Sequence, residues 1–161
     1  MAEEQGYAVT LVTPERVLVE ARATQVVLRT ADGDATFLDG HTPLVGAIVP
    51  GAVRITGDEG TERTFAVHGG FVQVEKGVVD DGTRVTILSP VAEPADEIDV
   101  PRAQAALAGA EARVAELGGP AGGAPHGADG EAGVDPELVD AQAAVERARV
   151  RLEVAGVTEH A

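Results

Sequence analysis

The chain has no cysteine, which removes disulfides and thiolate metal sites from consideration together. It is poor in aromatic residues, at 2% against 44% hydrophobic residues overall, so its core must be assembled from valine, leucine, isoleucine and alanine. Lysine is scarce as well: Lys76 stands alone, and arginine supplies the remaining permanent positive charge. With a formal net charge of -15, the chain is unsuited to non-specific nucleic-acid binding or to an anionic lipid surface. It is suited to solubility and to basic protein partners. No apolar run approaches the roughly 18–20 residues that cross a bilayer. The first six residues, Met1 to Gly6, are acidic and hold no apolar signal core, so a cytosolic protein is expected. Its 161 residues fit one main domain with a small appendage.

What is present changes character at Asp96-Glu97-Ile98-Asp99-Val100-Pro101-Arg102-Ala103. Before this stretch, short runs rich in valine and threonine alternate apolar with polar residues. After it, alanine dominates and apolar residues return every three or four positions. Asp99 has the chemistry of a helix N-cap, whose side-chain oxygen accepts from the free N–H of Arg102. Pro101 falls in the first turn, where its missing N–H breaks no helical bond.

Strands are predicted at Ala8–Thr13, Arg16–Ala23, Gln25–Thr30, Ala35–Leu38, Leu44–Val49, Ala52–Thr56, Arg63–Val67, Phe71–Glu75 and Arg84–Leu88. Turn signals separate them, among them Thr13-Pro14-Glu15, Asp32-Gly33-Asp34, Asp39-Gly40, Pro50-Gly51 and Asp80-Asp81-Gly82. Such spacing, with no helical pattern between, points to an antiparallel β-sandwich. A first helix is predicted from Val100 to Leu117, with its seam on Ala103, Leu107, Ala110, Val114 and Leu117. Gly109 inside it costs about 1 kcal/mol relative to alanine. The Gly/Ala/Pro segment 118–135 cannot bury a core and is expected to be a flexible insert. A second helix is predicted from the cap Asp135 with Pro136 at its first position. Its seam runs through Leu138, Ala141, Val145, Ala148, Leu152 and Ala155, and Gly156 ends it. Two matching seams suit an antiparallel helical hairpin. The fold class is α+β, with a sandwich domain at 1–94 and a hairpin at 95–161.

Nothing in the pattern assembles an active site. Gly69-Gly70 is not followed by a Gly-Lys-Ser/Thr sequence and is read as a tight turn or bulge. His41 and His68 have no partner at metal-ligand spacing; His41 is read as a loop residue at a protein contact and His68 as a strand residue before the turn. Asp32 and Asp34 flank a turn glycine, which is sufficient reason for both. No catalytic residue and no metal site is expected.

The set Asp39-Gly40-His41-Thr42-Pro43-Leu44-Val45, Pro50-Gly51-Ala52-Val53-Arg54-Ile55 and Ala66-Val67-His68-Gly69-Gly70-Phe71-Val72-Gln73-Val74, followed by Val85-Thr86-Ile87-Leu88 running through Ala92-Glu93 to Ile98-Asp99 and Arg102-Ala103, resembles the epsilon subunit of bacterial F-type ATP synthase. The resemblance covers nearly the whole chain, and order and spacing make it specific. It implies a non-catalytic rotor subunit of the central stalk, peripheral on the cytoplasmic face of the bacterial cell membrane through its complex. The implied partners are the gamma subunit, the c-subunit ring, and the alpha and beta subunits through the helices. A brake on ATP hydrolysis by the helical pair is implied as well. The loop carrying Leu38, Gly40, His41, Thr42, Pro43 and Leu44 is implied to face the c ring.

Some members bind regulatory ATP through an I/L-D-x-x-R-A motif, matched here by Ile98, Asp99, Arg102 and Ala103. Second-helix arginines hold the phosphates there; Arg147 and Arg151, four apart on one face, are the candidates, while Arg149 points elsewhere. The plain alternatives are a capped helix start with a local ion pair, and a solvated helix on which Glu146 and Glu153 pair with the arginines. A stand-alone ATP-sensing module is the other functional reading. The long insert is a departure from the short turn of the family, at a closure cost of only about 0.6 kcal/mol per doubling of length.

Overall fold

The computed structural model describes residues 6–77, 82–118 and 135–156. Asp80, Asp81, most of the Gly-rich insert, His126 and His160 lie outside the described residues. In chain order the strands are β1 (Tyr7–Val12), β2 (Val17–Thr30), β3 (Gly33–Phe37), β4 (Leu44–Ile48), β5 (Gly51–Gly57), β6 (Glu62–Val67), β7 (Gly70–Lys76), β8 (Thr83–Leu88) and β9 (Ala92–Pro94). A single 3-10 turn, Ala95–Glu97, leads to α1 (Val100–Gly118) and then α2 (Pro136–Val154).

The strands follow the order β1-β8-β7-β4-β2-β5-β6-β9, with β3 added on β2. All described pairings are antiparallel except β1 with β8, which is parallel. β2 holds the two layers together. Its first half pairs with β1 and its second half with β3 and β5. Two separate strands were expected there, Arg16–Ala23 and Gln25–Thr30. The structure makes one strand of 14 residues, with a register shift between Ala23 and Gln25. The irregularity at Thr24 is a bulge that bends the strand between layers, which is what such insertions do. β9 was not expected, because three residues are too few to show an alternation.

The core between the layers is built as the composition requires, from Val9, Leu11, Val26, Leu28, Val53, Val67, Val72, Val85 and Ile87, all at full burial. Tyr7, Phe37 and Phe65 are the largest side chains within it. The Tyr7 hydroxyl donates to the Phe37 carbonyl at 2.6 Å, so its polar end is satisfied.

The helices carry a second, smaller core of Ala103, Leu107, Val145, Ala148 and Leu152, flanked by half-buried Val100, Ala110 and Val114. Both predicted seams are therefore the packed faces. Arg113, late in α1, pairs with Glu137, early in α2, as an antiparallel hairpin demands. Asp135 caps α2 by accepting from Glu137 N–H at 2.9 Å. Gly156, just past its end, takes φ +77°, a left-handed conformation that suits glycine. The hairpin rests on the sandwich through α2 against β5 and β6.

Two glycine substitutions should shift stability in opposite directions. Gly70 has φ +120°, and a Cβ there would collide with the Leu88 carbonyl oxygen of the neighbouring strand. Gly109 lies mid-helix with open space around it. Gly70→Ala is expected to cost about 3 kcal/mol or more in urea unfolding. Gly109→Ala is expected to stabilise the hairpin by about 0.5–1 kcal/mol, read from amide exchange in α1.

Candidate functional site at the sandwich–hairpin junction

The site begins with the helix start. The Asp99 carboxylate accepts from Arg102 N–H at 3.0 Å, so the expected cap is formed. The side chains of Asp99 and Arg102 are both exposed, and no ion pair between them occurs among the described residues. Ala103 faces the opposite way, into the hairpin core. Ile98 is half-buried, with its N–H returning to the Ala95 carbonyl. Only Asp99 and Arg102 of the four motif residues thus present polar groups to solvent.

Arg151 reaches out of α2 to the sandwich and grips Glu93 on β9 with two bonds, 2.6 Å from Nε and 3.1 Å from a terminal nitrogen. Two parallel N–H donors match a carboxylate's two oxygens, which gives this pair direction as well as charge. The Arg151 hydrogen bond holds the Glu93 carboxyl below its usual range, against the opposing effect of burial; Arg151, His68 and Arg102 act on it through charge in the same direction. Neither glutamate expected as a local partner, Glu146 or Glu153, is used. Arg149 instead pairs with Glu111 across the hairpin at 2.9 Å. Arg147 is exposed and forms no ion pair among the described residues.

Beneath the pair lies His68, whose side chain is 2% exposed. Its Nε2 is 3.9 Å from the Glu93 oxygen that Arg151 binds. Burial first, then the charge of Arg151, pushes His68 down to about 4 despite the attraction of Glu93; Arg147 adds to the depression. Three cationic or potentially cationic groups, Arg102, Arg151 and His68, thus act on a single carboxylate, with Arg147 acting on His68, in a chain of net charge -15. A second tether, Arg16 to Glu97 at 2.6 Å, joins the β1–β2 turn to the 3-10 turn.

The other candidate region is the loop from Leu38 to Leu44. Gly40 adopts φ +77°, and its N–H donates to the Thr83 hydroxyl at 2.7 Å, fixing the loop to β8. His41 stacks edge-on against Phe37 at 4.9 Å, and its Nδ1 lies 2.8 Å from the Thr42 carbonyl oxygen. Leu38, Thr42 and Pro43 are exposed, while His41 and Leu44 are half-buried. At the end of these strands away from the loop, the outer face of β4, β7 and β8 carries an apolar patch. Phe71 is 58% exposed and stands in register with Leu88, 46% exposed, on one side and Ala47 on the other. Val12, Pro14 and Pro90 extend the patch into a shallow groove.

Comparison with known proteins identifies the arrangement. The family described as ATP synthase, Delta/Epsilon chain, beta-sandwich domain matches residues 7–95, and its long alpha-helix domain matches residues 96–156. The chain belongs to the ATP synthase delta/epsilon family. An ATP synthase epsilon chain of Symbiobacterium thermophilum is 38% identical over 154 residues, covering 95% of each chain. That of Desulforudis audaxviator is 45% identical over 112 residues, 70% of this chain and 77% of its own. Among solved structures, a chain of the Euglena gracilis mitochondrial ATP synthase OSCP/F1/c-ring assembly shares the fold at TM-score 0.69 and 24% identity, covering 93% of this chain and 81% of that one.

An epsilon subunit is a non-catalytic part of the stalk. Asp34 is engaged with Arg29 at 2.9 Å, and that hydrogen bond holds it below the usual carboxylate range. The epsilon-chain junction includes three residues to which the sequence pattern assigned no role. Glu93 lies in a three-residue strand with no periodic signal. His68 looked like a strand residue with no role, although it was followed by the strained Gly69-Gly70. Val150 is buried on the side of α2 away from the α1 seam, where the helix meets the sandwich. Phe71 was detectable: it is an aromatic residue at an outward position of an alternating strand.

The Glu93–Arg151 pair remains partly open to solvent, with side-chain exposures of 35% and 27%, so its contribution is discounted for screening. Arg151→Ala should weaken hairpin docking by about 1 kcal/mol and should leave sandwich unfolding unchanged. Amide exchange resolved by element would measure both. Because the Glu93 carboxyl is depressed in the docked state, its contribution is present above its ordinary value of 4.5 and lost as pH falls below it.

Proposed function

We propose that this chain is the rotor subunit that joins the gamma subunit to the c-subunit ring and that its helical hairpin restrains ATP hydrolysis. The observation that carries the reading is the division of the structure into two cores. The hairpin closes its own seam and touches the sandwich mainly through α2 and a few polar ties. A unit with its own core can leave the sandwich without unfolding. Such a unit can reach the alpha and beta subunits of the catalytic head.

The apolar face of Phe71, Leu88, Val45 and Ala47 is the surface for gamma. Three of the four aromatic residues are used in the core, and the fourth is spent on the surface. An exposed apolar patch of this kind is characteristic of a protein interface. The loop at Leu38, Gly40, His41, Thr42, Pro43 and Leu44 faces the c ring. The site of action is the cytoplasmic face of the bacterial membrane, reached through the complex. Among the described residues no helix is long and apolar enough to cross a membrane.

A second reading is favoured by the arginine cluster. An anionic ligand such as ATP would meet Arg102, Arg147 and Arg151 beside the Asp99 cap. Occupancy would hold the hairpin in the docked form.

The ATPase rate of the cognate catalytic head with gamma tests the first reading. Full-length chain should slow hydrolysis, whereas a chain ending at Pro94 should bind without slowing it. Phe71→Glu should lower affinity for gamma by at least about 10-fold, since it places a charge in an apolar contact. Loss of the brake with retained binding supports the hairpin's role; equal inhibition by both forms rejects it. Asp99→Ala and Arg102→Ala should each weaken ATP binding to the isolated chain, measured by calorimetry. Unchanged binding in both would reject the nucleotide site at this motif.

A further inference from the structure

We infer that His68 is a proton-sensitive latch, neutral while the hairpin is docked and favouring its release when protonated. His68 follows β6, the strand against which α2 packs, and its side chain is almost wholly enclosed. Neither ring nitrogen has a hydrogen-bond partner among the described residues. The charged groups facing it are Glu93 from β9 and Arg151 and Arg147 from α2; Arg102 from α1 acts on the same Glu93.

The docked geometry has no place for an imidazolium. Its nearest anion is the Glu93 oxygen at 3.9 Å, and that oxygen already accepts from Arg151 Nε at 2.6 Å. A protonated His68 must either draw Glu93 from Arg151 or stay buried and unpaired beside two guanidinium groups. Both outcomes oppose docking, because an unpaired buried charge is costly and a broken tie frees α2. In the released state water reaches the ring, and its ordinary value of 6.5 returns.

The sign follows from linkage. The docked value, about 4, lies below the released one, so docking is fully favoured above 6.5 and loses ground as pH falls from 6.5 towards 4. Between pH 7 and pH 5 the docked-to-released ratio should fall about 20-fold. Glu93 adds its own loss only below its ordinary value of 4.5, so the window above pH 5 belongs to His68. The latch is a property of the isolated chain; its consequence for hydrolysis rests on the proposed brake.

The absence of cysteine gives a clean assay. Val150→Cys places a thiol under the docked helix, and Val139→Cys, in a separate chain, supplies an exposed reference. The labelling rate of the first by a pyridyl disulfide, divided by that of the second, follows the released fraction of the full chain. This quotient should rise about 20-fold from pH 7 to pH 5, and should stay flat over that range with His68→Gln added. A flat quotient with His68 present, or the same rise without it, overturns the latch. Should His68→Gln fail to fold, the imidazole resonances of the unsubstituted chain decide. Ring protonation that coincides with release supports the latch; protonation near 6.5 with the hairpin still docked overturns it. Since no catalytic head is present, failure here leaves the ATPase result to judge the brake separately.

Discussion

The bond between Arg151 and Glu93 is the contact on which the arrangement of the two parts depends. The sandwich is closed by strand pairing around a large core, and the hairpin is closed by its own small seam. Neither needs the other for its secondary structure. Their relative position depends instead on α2 resting on β5 and β6, on buried Val150, and on the two-bond grip of Arg151. The grip is directional, partly solvated and acts across one small area. Such a tie defines an orientation without adding much stability.

The same charges that orient the hairpin make its docking responsive. Glu93 serves Arg151, lies close to His68 and feels Arg102, so one carboxylate is shared among three positive or potentially positive groups. Any anion added here, or any proton added to His68, changes that balance. Ligand and proton would act in opposite directions, the first supplying negative charge and the second removing the neutrality that burial requires. In a chain as acidic as this one, positive charge is gathered at the junction of the two parts.

Partner surfaces arise from the strand geometry. Side chains alternate between faces, so the strands that bury Val72, Val74, Val85 and Ile87 must present Phe71 and Leu88 outward. In-register pairing of β7 with both β4 and β8 then gathers separate residues into one apolar face. The loop bearing Gly40 and His41 is held by the Thr83 hydroxyl at the start of β8, the end of that strand away from Leu88. The structure thus offers a loop at one end of β8, an apolar patch at the other and a helical pair elsewhere.

By itself the sequence determined whatever local chemistry controls. Alternation and turn residues located the strands. Three-and-four spacing located both helical seams, and Asp99, Asp135 and Gly156 marked helix ends, because caps and periodicity act over a few residues. Tertiary structure alone decided what distance in sequence conceals. It joined two predicted strands into β2 through the bulge at Thr24, since only pairing with both β1 and β5 makes one bent strand favourable. It added β9, brought Glu93 to Arg151 across 58 positions, and buried His68 beneath them. Local ion pairs with Glu146 and Glu153 looked equally available on the helix. A carboxylate on a neighbouring element won because its position lets Arg151 place two aligned bonds on it.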